Sequence, residues 1–105
     1  MRTDEKMRSA LGFSMRSGNL LAGDFACENA VKKGKAKLVV LDESASANTK
    51  ERYQGLCERA GIPCVLMESM GEAVGKPGRM IAAVTDVSFA KMVGDAYANM
   101  HGGND

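Results

Sequence analysis

Gly23-Asp24 opens a short apolar-striped segment that closes on Lys32, Lys33, Lys35 and Lys37, and this order of residue types is suited to holding phosphate. A helix that starts at glycine presents free backbone N–H groups and the positive end of its dipole. Such an end receives a phosphate with little help from side chains. The four lysines add positive charge of the kind that nucleic acid attracts. Cations at a helix C-terminus are also favourable on their own account, and Asp24 can serve as an ordinary cap by binding helix N–H groups.

A second candidate is the basic turn Gly75-Lys76-Pro77-Gly78-Arg79, which runs into Met80. Lys76 and Arg79 can reach a phosphate backbone, and a soft thioether such as Met80 suits an unstacked base. The glycines equally fit a tight turn that needs them for geometry. Gly71, Gly75 and Gly78 do not make a nucleotide-phosphate loop, because no Lys-Ser or Lys-Thr follows them into a helix. Asp42 and Glu43 end an apolar run, where acidic catalysts often stand. No histidine or lysine motif accompanies them, so no catalytic residue is assigned and the chain is not read as an enzyme. Cys27, Cys57 and Cys64 form no CxxC, and His101 lies near the tail. Reduced, mostly buried thiols are expected, with no metal and no cofactor.

The composition bounds these readings. A chain of 105 residues, 45% of them hydrophobic, builds one domain around one core. The apolar runs are of strand length and the first residues are charged, so neither a membrane span nor a secretory signal is expected. A cytoplasmic protein follows. The net charge is +1, so any nucleic-acid site must be a local patch. Aromatic residues are 5% and tryptophan is absent, which argues against a platform that stacks single-stranded bases.

The elements that must position the candidates follow from periodicity. Residues 4–16 read as a helix, with Thr3 as cap and Met7, Leu11 and Met15 inward. Leu20 to Ala22 is a short connector or edge strand. Residues 23–34 read as the second helix, with Cys27, Ala30 and Val31 inward and Gly34 as its stop. Leu38 to Leu41 is a strand buried on both faces. Asn48 and Glu51 are spaced as a capping box for a helix over 49–60, with Tyr53, Leu56, Cys57 and Ala60 inward. Gly61 to Pro63 breaks it, and Cys64 to Met67 is another strand. Ser69 and Glu72 repeat the capping spacing before a short helix carrying Met70, Ala73 and Val74. Met80 to Val84 is a further strand. Asp86 caps a last helix carrying Phe89, Ala90, Val93, Tyr97 and Met100, and residues 101–105 should fray. Strands alternating with helices imply an α/β domain whose sheet, parallel or mixed, is covered on both faces.

In this order the residues resemble the kink-turn-binding ribosomal-protein superfamily, the L-seven-Ae / L-thirty-e type. The resemblance rests on Gly23 and its helix, the basic exit into Leu38 to Leu41, and the loop from Asp42 to Thr49. Gly61 to Pro63, the Gly75-Lys76 turn, and Ala83 to Asp86 followed by Phe89-Ala90 complete it. The loops are most similar to the bacterial YlxQ-like branch, and the resemblance spans about residues 7–94. It implies one three-layer α/β/α sandwich over residues 1–105, core about 4–100, with a mixed sheet of about four strands. It also implies a non-catalytic protein of the ribonucleoprotein world. The expected partner is structured RNA in the kink-turn form, ribosomal RNA included, with the ribosome itself a further partner. In a kink-turn, a bulge beside tandem sheared G·A pairs bends the duplex.

The RNA surface so implied joins Gly23 to Asn29 with about Gly75 to Met80. The expected contacts are Gly23, Asp24, Phe25, Asn29, Lys32, Lys33, Lys35, Lys76, Arg79 and Met80, converging on one positive face. The family's strong binders carry Gly-x-Asn-Glu at this helix start. Here Phe25 and Ala26 replace the Asn and Glu that read guanine edges, and Asn29 replaces a family lysine. Fewer base-specific hydrogen bonds are expected, each good pair being worth about 1–3 kcal/mol of discrimination. Asp24 repels phosphate unless it is turned away or bonded. The replacements motivate an alternative, a protein-interaction or assembly module on the same fold. A monomer is expected, because no long apolar stripe is left over once the core is assigned.

Overall fold

Side chains alternate across a strand, and in this chain that alternation decides the layers. The structure, a computed structural model, describes residues 2–101, with side chains over 5–99. Its elements run α1 (Arg2–Arg16), β1 (Leu20–Ala22), α2 (Asp24–Lys32), β2 (Leu38–Asp42), α3 (Ala47–Ala60), β3 (Cys64–Met67), α4 (Met70–Ala73), β4 (Ile81–Val84) and α5 (Val87–His101). Leu38, Val40, Val65, Met67, Ala82 and Val84 pack with α1, α4 and α5, while Val39, Leu41, Ile81 and Ala83 pack with α2 and α3. The result is a three-layer α/β/α sandwich.

The four strands lie in the order β1-β4-β2-β3. The sheet is mixed: β2 runs parallel to β3, and β4 runs antiparallel to both β1 and β2. Both central strands, β2 and β4, are buried along their whole length, as their unbroken apolar runs require. The connector Leu20 to Ala22 is the edge strand β1.

Several helix ends differ from the sequence reading. Ser46, not Asn48, caps α3, its hydroxyl accepting from the Thr49 N–H at 3.1 Å. Ser69 sits in the left-handed region at φ 54° and its side chain caps nothing. The Asp42 carboxylate takes that role, accepting from the Met70 N–H at 2.7 Å across 28 residues of sequence. Asp86 does cap α5, accepting from the Phe89 N–H at 3.0 Å. Ala60 faces solvent, because α3 is in its last turn there. The side chains of Thr3 and Met100, and the fraying expected of the tail beyond His101, lie outside the described residues.

Candidate nucleic-acid interface

The start of α2 is pinned to the sheet by the Gly23 N–H, which donates to the Ile81 carbonyl at 2.9 Å. Gly23 has φ 105° and ψ 153°, a backbone that side-chain-bearing residues rarely adopt. A Cβ there would also lie 3.3 Å from an Arg79 guanidinium nitrogen. Glycine is thus favoured by the turn, and its missing Cβ lets the Arg79 guanidinium lie close over it. The first helical bond runs from the Cys27 N–H to the Gly23 carbonyl, and no side chain caps the turn before it. The N–H groups of Asp24, Phe25 and Ala26 are the free donors of this helix end.

The loop from Gly75 to Met80 reaches the same end of the sheet, because it feeds directly into Ile81. Gly71 of α4 makes room for it. A Cβ at Gly71 would meet the Lys76 carbonyl at 2.7 Å and the Arg79 carbonyl at 2.9 Å. Without that Cβ, the Lys76 N–H donates to the Gly71 carbonyl at 2.8 Å. Gly75 and Gly78 turn the loop with φ 76° and 90°. Lys76, Arg79 and Met80 are all exposed on it.

Arg79 and Met80 form a ridge between two open depressions. One, of about 290 Å³, is lined by Gly23, Asp24, Ser46, Thr49 and the ridge itself, so the starts of α2 and α3 both face it. The other, of about 560 Å³, carries Asp42, Glu43, Glu68 and Glu72. A polyanion that follows the ridge is drawn to the first side and repelled from the second.

Asp24 is neither free nor a helix cap. Its carboxylate accepts from Arg52 at 2.7 Å and from the Tyr53 hydroxyl at 2.7 Å. The same Arg52 guanidinium binds Glu28 at 2.7 Å and lies over the Tyr53 ring. The bond from Arg52, then that from Tyr53, hold the Asp24 pKa below the usual carboxylate value. Burial first, then the Asp24 bond, push the Tyr53 hydroxyl well up. The acidic start of α2 is therefore neutralised from α3. Asp42 sits on the acidic flank. Burial opposes its charge, but bonds from the Ser44 hydroxyl and from the Ser44 and Met70 N–H groups prevail and lower its pKa. The cysteines are free thiols, with Cys27 and Cys57 buried. Burial pushes Cys27 up to about 12, so it stays protonated.

The lysines do not join this cluster. The Lys37 N–H donates to the Val84 carbonyl at 2.7 Å, at the opposite end of β4 from Ile81. Four strand residues and nine helical residues separate the two ends, about 13 Å along α2. Lys35 lies at that far end with Lys37, and Lys32 and Lys33 close α2. Lys32 also pairs with Glu28 at 2.9 Å, and the Lys37 ammonium reaches the Gly34 carbonyl at 3.2 Å. The expected single positive face is thus corrected to two regions. Gly23, Asp24, Arg79 and Met80 line one, with Phe25 exposed in the adjoining first turn of α2 and Lys76 exposed on the loop before Arg79; Lys32, Lys33, Lys35 and Lys37 form the other, and Asn29 stands between. Ser46, Thr49 and Arg52 were missed by the sequence reading. Ser46 and Thr49 had a signal in their polar loop, whereas Arg52 meets Asp24 only through the fold.

The model of the ribosomal protein L7Ae/L30e/S12e/Gadd45 family matches residues 5–93. The chain belongs to that family. It is 34% identical to the RNA-binding protein YlxQ of Bacillus subtilis (strain 168) over 83 residues, which is 76% of this chain and 83% of that protein. It is 31% identical to the RNA-binding protein YlxQ of Enterococcus faecium over 90 residues, 83% of this chain and 86% of that one. Within the family it stands on the YlxQ-like branch. Among solved structures, a protein with unknown function from Bacillus halodurans C superposes with a TM-score of 0.83 at 29% identity, over 88% of this chain and 96% of that one. A 15.5kD RNA binding protein of Giardia lamblia shares the fold, with a TM-score of 0.76 at 18% identity over 94% of this chain and 88% of that one.

Proposed function

We propose that the protein is a non-catalytic RNA-binding protein that recognises kink-turn-like structured RNA, works in the cytoplasm as a monomer and associates with the ribosome. The observation that carries this reading is the meeting of the open α2 start with Gly78, Arg79 and Met80 across one depression. The α2 N–H groups and Arg79 take phosphates on the two sides of the bend, and Met80, 37% exposed, covers an extruded base. Binding favours whichever RNA conformer it contacts best, so the bent form gains population. Ser46 and Thr49 border the phosphate side, and the carboxylates of the opposite flank keep the backbone on it.

Salt titration of kinked and plain duplex RNA tests this. Wild type should prefer the kinked RNA, and a Lys76→Ala/Arg79→Ala variant should lose that preference with a salt slope shallower by about two. Equal, weak binding of wild type to both RNAs contradicts the reading.

One feature favours the interaction-module alternative. Phe13 and Met92, 54% and 51% exposed, flank an open groove between α1 and α5, in the helix layer across the sheet from α2.

A further inference from the structure

Phe25 is 82% exposed in the first turn of α2, while Cys27, Ala30 and Val31 hold the opposite face in the core. Its side chain takes no part in lining the depression between Gly23 and Met80. Asn29 follows four residues on along the same outward face, and Lys33, the exposed C-cap residue, closes it about 12 Å from Phe25 along the axis. Among the described residues Lys33 and Lys35 make no ion pair, whereas Lys32 is held by Glu28. The outward face thus begins with an unshielded aromatic ring two residues after Gly23 and ends in uncompensated positive charge.

We propose that this face is a track for unpaired nucleotides, with Phe25 stacking one base, Asn29 facing its edge and Lys33 the phosphates beyond. The proposal rests on the RNA-binding reading and adds a second nucleotide to the one under Met80. Phe25 is the only apolar residue on the outward face, its neighbours there being Glu28, Asn29, Lys32 and Lys33. A protein partner would need a wider apolar patch. An RNA strand needs one π-face, then polar and cationic groups, and this face supplies them in that order from Phe25 to Lys33. The low aromatic content therefore does not exclude stacking, since a single exposed ring is enough for one base. Stacking accepts every base, so Phe25 supplies affinity where an Asn–Glu pair would read base identity.

The test titrates wild type, Phe25→Ala and Phe25→Trp against a kinked RNA, and against versions made abasic at each bulge nucleotide in turn. Phe25→Ala should weaken binding to the intact RNA by about tenfold, and Phe25→Trp should retain it. One abasic position should abolish the difference between wild type and Phe25→Ala. At that position, 2-aminopurine should be quenched by wild type and not by Phe25→Ala. Equal affinity of wild type and Phe25→Ala overturns the proposal and leaves the RNA reading standing. So does an undiminished Phe25→Ala loss at every abasic position, which would assign the ring to the sugar-phosphate backbone rather than to a base. Failure of wild type to bind any of these RNAs overturns both.

Discussion

At the scale of single residues, Arg52 makes the α2 start usable by a polyanion. It meets Asp24 and Glu28 at once, and both carboxylates are partly exposed on the helix proposed to receive phosphate. Exposed ion pairs of this kind are worth only about 0.2–1 kcal/mol to folding. Arg52→Ala should therefore leave the melting temperature nearly unchanged and still weaken RNA binding severalfold. Asp24→Asn/Glu28→Gln in the same chain should restore it. Titration of the four variants measures the coupling, and an unrescued Arg52→Ala loss would make Arg52 a direct contact. The turn at Gly23 and the glycine turn at Gly75 and Gly78 were legible in the sequence because their backbone geometry is set by the residue itself. Arg52 was not, because its partners are 28 and 24 positions away and no spacing rule connects them.

Among the elements, the short α4 and the loop after it hold the site in place. Their two supports are Gly71 and Asp42. Gly71→Ala drives a methyl into backbone atoms of Lys76 and Arg79, so the loop must shift. Overpacking of this kind costs about 1–3 kcal/mol, and thermal unfolding together with RNA titration should show stability and affinity falling together. Asp42 bonds both Ser44 and the first N–H of α4, and its folded pKa lies below the ordinary 3.8. A depressed carboxylate stabilises the fold above its unfolded pKa, and that contribution disappears as pH falls through the folded value. Wild-type stability should therefore drop below about pH 4, while Asp42→Asn, weaker by about 1–3 kcal/mol at neutral pH, should show less of that drop in a denaturant series. The order of elements was readable from periodicity and breakers. The capping of α4 was not, because the Ser69–Glu72 spacing imitates a local box whose work a distant carboxylate performs.

For the molecule as a whole, a net charge of +1 conceals strong segregation. Carboxylates gather on one flank of the Arg79–Met80 ridge and lysines at the far end of α2. Charge proximity in sequence misled at this scale, since a helix carries its two ends apart by its own length. Lys33→Ala/Lys35→Ala should accordingly spare a minimal kinked RNA and weaken an RNA whose unpaired strand extends along α2, as competition titration would reveal. Protein binding, as proposed, stabilises the bent RNA through the ridge. The most direct measurement of this is energy transfer across a kink-turn RNA labelled at both ends, in buffer without divalent cations. Wild type should raise transfer to the kinked value in a saturable way, and Lys76→Ala/Arg79→Ala should need far more protein to do so. Binding of wild type with no rise in transfer would show that the protein does not stabilise the bent RNA.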